Sequence, residues 1–142
     1  MLFRSNAGNL PVSAELPPYA AALGINLDPI SAGNPMLWFD YSERVSGRPG
    51  FLHGGAMSGL MEMAAMAALR AELERRGETV RLKPVNITVE FMRGGTEQRT
   101  FASGTVTRAG RRVALVNATC WQDDPAKPIA LAQMKVLLSP AE

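Results

Sequence analysis

One cysteine, one histidine and nine aromatic residues among 142 positions exclude several kinds of function at once. Cys120 has no partner for an internal disulfide, so the chain is held by its core, and the thiol reads as a small apolar core residue. One His and one Cys are too few soft ligands for a zinc or iron–sulfur centre, so no metal is expected. No dense Lys/Arg block exists to meet nucleic acid. The start, Met-Leu-Phe-Arg-Ser-Asn-Ala-Gly-Asn, does not follow the basic-then-apolar order of a secretory signal. Together these absences imply a cytoplasmic location. The longest apolar run, Phe51–Leu69, contains Glu62, His53 and three glycines, and much of the rest is alanine. It reads as a buried helix of a globular protein rather than a membrane span.

What is present suits one globular domain over 1–142, with 1–15 as an irregular lead-in. Hydrophobic residues make up 46% and charged ones 20%, enough for a substantial core. The net charge of +2 is unevenly spread. Residues 1–69 hold three Lys/Arg against five Asp/Glu, and residues 70–142 hold twelve against eight. The second half is therefore suited to an anionic ligand, although a solvated mixed-charge surface explains the same counts.

Leu16–Gly24 reads as a short helix, with prolines in its first turn and a glycine just past its end. Strands are expected over Ile25–Ile30 and Met36–Arg44, and Ser46–Gly50 is a loop. A long helix is expected from Gly54 to Arg76, about 33 Å at ~1.5 Å per residue. Its first half is apolar nearly all round and should be enclosed. Four strands follow: Val80–Met92, Thr100–Arg108, Arg112–Trp121 and Pro128–Leu138. In the first of them Val85, Ile87, Val89 and Phe91 alternate with Asn86, Thr88, Glu90 and Met92. Short connections join the later strands, so they pair antiparallel. A sheet wrapped around one apolar helix, an α+β architecture, satisfies the order of elements.

Glu62 is the only charged residue of the apolar run. Burying a carboxylate among Met, Ala and Leu is costly unless it is paired, protonated or used. Burial would raise its pKa and make it a stronger base when ionised. The first backbone N–H groups of the helix have no intrahelical partners, and Gly54 and Gly55 let a ligand approach them closely. Such donors stabilise an oxyanion. Glu62 follows Gly55 by two turns on the same side, and Ser58 and Gly59 share that face. The constellation suits attack on a thioester, whose thiolate leaves with little acid assistance. The bland readings are an interfacial structural acid, a glycine pair that allows close packing, and methionines that fill core. For His53, a backbone hydrogen bond that fixes the loop-to-helix junction is favoured over proton transfer.

His53-Gly54-Gly55 with Glu62 nine positions after the histidine resembles the hot-dog-fold thioesterases, specifically their PaaI-like, phenylacetate-pathway branch. Val85–Gly95 is similar to the strand that follows the family's central helix, and Leu16–Gly24 to its N-terminal helix. The resemblance implies an antiparallel sheet curled around the central helix, a homodimer paired through sheet edges, and a dimer of dimers in many relatives. It implies acyl-CoA hydrolysis at the dimer interface without a cofactor. Gly54 N–H would polarise the carbonyl with Gly55 nearby, and Glu62 would be base or nucleophile. Arg93, Arg108, Arg111 and Arg112 are candidates for the CoA phosphates. Relatives often carry Asn six residues before the His, where this chain has Gly47, and Ser or Thr early in the next strand, where it has Pro84. Ser58 and Asn86 are the candidates to replace that water-positioning shell.

Two other readings follow from the same residues. The departures at Gly47 and Pro84 suit a protein that binds acyl-CoA or another apolar ligand without turnover. A dehydratase on this fold needs a catalytic His on a segment apart from the acid-bearing helix, and the only histidine here stands at that helix's start.

Overall fold

A computed structural model describes residues 16–28 and 34–141. The lead-in expected over 1–15 and the end of the first expected strand lie outside the described residues. The described chain runs α1 (Pro18–Leu23), β1 (Asn26–Asp28), β2 (Met36–Phe39), α2 (Gly54–Arg75), β3 (Val80–Phe91), β4 (Thr100–Ala109), β5 (Val113–Trp121) and β6 (Ala130–Pro140). All strand pairs are antiparallel, in the order β1-β2-β4-β5-β6-β3, so among the described residues β1 and β3 are the free edges. The sheet curls around α2, as the α+β expectation requires.

Local chemistry sets the ends of each helix. Pro17 and Pro18 open α1, and Gly24, at φ 72°, closes it with its N–H on the Ala20 and Ala21 carbonyls. At the other end of the long helix, Gly77 takes φ 69°. Its N–H reaches Glu74 O at 3.0 Å and that of Glu78 reaches Leu73 O at 3.0 Å, so the last turn's carbonyls are satisfied.

The inner sheet face is built by alternation along β5 and β6. Ala114, Val116, Ala118 and Cys120 of β5 are buried, as are Ala132, Met134, Val136 and Leu138 of β6. They meet Leu60, Met61, Ala64, Ala65, Ala68 and Leu69 of α2, all at 1% exposure or less. Fully burying each of the larger side chains stabilises by about 1.5–3 kcal/mol. Alanine on both sides lets helix and sheet approach closely, most of all at Gly104 of β4. A Cβ there would lie 2.7 Å from Ala64 O and 2.8 Å from Ala65 Cα.

Three expectations need correction. The strand over Met36–Arg44 stops at Phe39, because Ser42 Oγ accepts the Arg44 N–H at 3.2 Å and turns Glu43–Val45 into a 3₁₀ turn. Pro128–Leu138 begins and ends two residues later than expected, at Ala130 and Pro140. Ile129 still pairs its N–H with Cys120 O at 2.8 Å and takes the Met92 N–H on its own carbonyl at 2.9 Å. Finally, Val85 does not share a face with Ile87. The register of β3 shifts between Pro84 and Asn86, which puts Val85 in a bulge at 60% exposure while Leu82, Ile87 and Val89 pack on the core. Proline and a bulge are both tolerated here because β3 is an edge strand.

Candidate active site

The start of α2 is pinned from three directions. His53 N–H donates to Val45 O at 2.8 Å, Leu52 N–H to Gly95 O at 2.9 Å, and Gly47 N–H to Phe51 O at 2.9 Å. Gly47 has a steric reason to be glycine: a Cβ would meet His53 Cα at 3.0 Å and Leu52 O at 3.2 Å. Any side chain at that position would press on the Leu52–His53 backbone.

His53 is the N-cap of α2, and its Nδ1 accepts the Gly55 N–H at 2.8 Å. Nδ1 is unprotonated in that arrangement, which leaves the ring hydrogen on Nε2. The backbone role expected of His53 is thus the contact observed. Ala56 and Met57 donate to His53 O at 3.0 and 3.3 Å. Among the described residues, Gly54 N–H is the one first-turn amide without an acceptor. The expectation that both glycines offer free donors is corrected: Gly55 gives its amide to the cap, and Gly54 keeps its own.

Glu62 departs further from expectation. The helix around it is buried, with Met61 at 0% and Met63 at 6% exposure, yet Glu62 itself is exposed. Among the described residues, none supplies the enclosure expected of it. The reason lies in the wheel of the helix. At ~100° per residue, Gly55, Ser58, Gly59 and Glu62 fall on one stripe that the sheet leaves open and that α1 meets only at Gly59. Gly55 and Glu62 are exposed on it, and Ser58 and Gly59 are half-buried.

Two aromatic rings flank this stripe, and pattern reading gave neither of them a site role. Phe91, the last residue of β3, lies against Gly54, where a Cβ would be 3.1 Å from its Cζ. Tyr19 of α1 lies against Gly59, where a Cβ would be 3.4 Å from its Cε2 and 3.1 Å from Leu23 Cδ1. The available signal was two glycines in a helix that have no conformational need to be glycine.

The remaining candidates scatter. Asn86 points to the outer sheet face, where it lines a shallow depression of about 380 Å³ with Thr88, Thr107, Asn117 and Lys135. It therefore does not stand beside Glu62 in this protomer, and the water-positioning role expected of it is not available there. Pro84 is exposed on the free edge, next to the bulge. Arg93 is exposed just past β3, its N–H on Ile129 O at 3.2 Å, near the start of α2. Arg108, Arg111 and Arg112 are exposed on and beside the β4–β5 hairpin. Arg76 Nη1 donates to Ala109 O at 3.1 Å and ties that hairpin to the far end of α2. The four arginines thus form two groups at opposite ends of the helix. No cluster of metal-ligating residues occurs among the described residues. No helix among them is long and apolar enough to cross a membrane.

The geometry matches known proteins. The sequence profile of the Thioesterase superfamily fits residues 49–129, more than half of the chain. A structure from Chromobacterium violaceum is 34% identical, with 88% of this chain and 85% of that chain covered and a TM-score of 0.66. A thioesterase family protein from Silicibacter pomeroyi is 22% identical, with coverage of 88% and 91% and a TM-score of 0.75. A mutant of phenylacetic acid degradation protein PaaI from Thermus thermophilus is 20% identical, with coverage of 85% and 98% and a TM-score of 0.71. No curated protein matches. With its profile match spanning α2 and strands β3 to β5, the chain belongs to the thioesterase superfamily, and its curled sheet around one long helix is the hot-dog fold.

Proposed function

We propose that the protein is an acyl-CoA thioesterase whose reaction takes place on the open stripe of α2. One observation carries this reading: the Gly54 N–H, left without an acceptor, and the Glu62 carboxylate stand on the same end of one helix face. The thioester carbonyl oxygen would accept from Gly54 N–H, whose fixed orientation stabilises the oxyanion as it forms. Glu62 would take the proton of a water as that water's oxygen bonds to the carbonyl carbon. Collapse of the tetrahedral intermediate breaks the C–S bond, and the proton held by Glu62 goes to the departing thiolate. Attack by Glu62 itself, followed by hydrolysis of the resulting anhydride, balances equally and gives the same products. Water is the only co-reactant, so no cofactor is required.

A second copy of the chain completes this reading. The free edge of β3 presents unpaired backbone groups beside exposed Val85, Phe91 and Met92, at 60%, 55% and 54% exposure. Pairing of two such edges in a homodimer would bring another surface over the α2 stripe and desolvate Glu62. A further pairing of dimers is compatible with the outer sheet face, where Val113, Leu115 and Leu137 are exposed. The CoA phosphates would fall to Arg93 or to the Arg108, Arg111 and Arg112 group. Gly47 and Pro84, which stand where relatives place water-holding side chains, favour one rival: a dimer that binds acyl-CoA without turning it over.

The deciding measurement is thiol release from short, long and aromatic acyl-CoA esters by wild type and Glu62→Gln, with native mass recorded for both. The proposal expects turnover by wild type and a loss of at least 10²-fold in the variant at unchanged mass. Tight binding without hydrolysis would establish the rival. Full activity in Glu62→Gln would remove Glu62 from the mechanism.

A further inference from the structure

We propose that Tyr19 and Phe91 are the specificity-determining walls of the acyl site, and that together they restrict it to compact acyl groups. This inference rests on the thioester reading of the α2 stripe.

Two glycines of α2 locate the walls. Neither Gly54 nor Gly59 has a positive φ, so neither is glycine for its backbone. Each is glycine for room. A Cβ on Gly54 would press Phe91 at 3.1 and 3.2 Å, and one on Gly59 would press Leu23 at 3.1 Å and Tyr19 at 3.4 Å. Helix-interior glycine is unfavourable relative to alanine, so the close seating of Tyr19 against Gly59 carries a standing cost in helix propensity.

Next comes their placement. At ~100° per residue, taking Gly54 as zero, Ser58 falls near 40°, Glu62 near 80°, Gly55 near 100° and Gly59 near 140°. Phe91 therefore stands on one shoulder of the stripe and Tyr19 on the other, with the carboxylate between them. Both rings are more than half exposed, Tyr19 at 57% and Phe91 at 55%, so each has apolar area still to cover. Phe91 also lies against the residue that carries the unpartnered amide, so its ring shapes the space next to the reacting carbonyl.

The length of the stripe supplies the rest. Ala65, Met66 and Leu69 continue the same face and are buried at 1%, 7% and 0% exposure. The open part runs only from Gly55 to Glu62, on the order of 10 Å at ~1.5 Å per residue. An acyl group flat and short enough to lie between two rings fits that floor, and a long chain would overrun it. Aromatic faces favour stacked or edge-on contact with such a group.

The test compares wild type with Tyr19→Ala and Phe91→Ala. The probes are straight-chain, branched and ring-bearing acyl-CoA esters, together with the non-hydrolysable thioether analogue of each. Expected is a fall of about tenfold or more in kcat/KM for the compact esters, carried by KM. Long and bulky esters should be unchanged or improved, and native mass should not change. Affinities for the thioether analogues should reorder in the same sense. If an alanine variant changes mass, Tyr19→Leu and Phe91→Leu keep the apolar bulk, remove the ring and carry the same expectation. An equal change across the whole panel, in turnover and in binding, would overturn the proposal and reduce both rings to interface packing. The two readings fail separately: absence of hydrolysis by wild type sinks the enzyme reading, and unchanged ranking of the analogues sinks the walls.

Discussion

Gly104→Ala tests the close approach of β4 to the backbone of α2. The added Cβ would lie 2.7 Å from Ala64 O, 2.8 Å from Ala65 Cα and 3.0 Å from Ala68 Cβ. Ordinary contact begins near 3.4 Å, so α2 must retreat from β4 by about 0.6–0.7 Å. The two nearest atoms are helix backbone, and no rotamer change relieves them. A gap of that size forfeits roughly a quarter to a half of the dispersion well for every contact it opens. Overpacking a core by one methyl costs ~1–3 kcal/mol, and backbone on both sides places this case at the upper end. The loss of unfolded-state entropy returns about 0.4–1 kcal/mol. The net expectation is a destabilisation of ~2 kcal/mol, or roughly 8 °C in Tm for a domain of this size. Thermal and urea unfolding measure it, with Thr105→Ala as control, because Thr105 is exposed on the other sheet face and should stay within about 0.5 kcal/mol. Ala64 and Ala65 follow Glu62 by less than a turn, so the same retreat displaces the carboxylate. A misplacement approaching 1 Å is worth up to ~10² in rate. Wild-type Tm and urea midpoint in Gly104→Ala would refute the packing argument outright.

Burial pushes the Cys120 thiol up to about 12. The native thiol should therefore resist alkylation at pH 8 and react at the rate of global opening. Because its folded pKa lies above the unfolded one, its contribution is intact below about pH 9 and is lost as pH rises toward 12, by up to ~1.4 kcal/mol per pH unit. Cys120→Ala should remove that alkaline slope in pH-dependent unfolding. His53→Ala takes the cap from Gly55 N–H and should cost about 1 kcal/mol in urea denaturation, and an Asn at that position should recover most of it. The Arg99 hydrogen bond at 2.8 Å holds the Asp40 carboxyl below the usual carboxylate range. An NMR titration should show its midpoint returning to the ordinary value in Arg99→Ala. Any stabilisation from the pair should vanish as pH falls through the Asp40 pKa and weaken with salt.

The fold was legible because its signals are local and repeated. Alternation in β5 sets Ala114, Val116, Ala118 and Cys120 apart from Val113, Leu115, Asn117 and Thr119 whatever the rest of the chain does, and the structure buries the first set. Gly24 past α1 and Gly77 past α2 announce left-handed closures by residue type alone. Where local signals were overridden, one contact was enough. Ser42 Oγ ended a strand early, and one extra residue in β3 turned Val85 away from Ile87. The candidate site was legible only along its own helix. Spacing placed Gly55, Ser58 and Glu62 on one face, but Tyr19 lies 40 residues before Gly59, and Phe91 lies 37 after Gly54. Contacts between distant elements leave no period to read.

The exposure of Glu62 follows from the same distinction. Hydrophobicity all round a helix states that every side should be covered, without stating what covers it. The sheet covers most of α2, and α1 covers Gly59. What is left open is the strip holding the one carboxylate, next to the sheet edge with exposed Val85, Phe91 and Met92. An apolar helix with one uncovered face, beside an unpaired strand edge that carries its own apolar side chains, fits a surface that another copy completes. On that arrangement the carboxylate becomes desolvated only when two chains meet, so thioesterase activity should fall with dilution in step with the loss of dimer. Constant specific activity across the dissociation range, with native mass measured at each concentration, would separate the chemistry from the pairing.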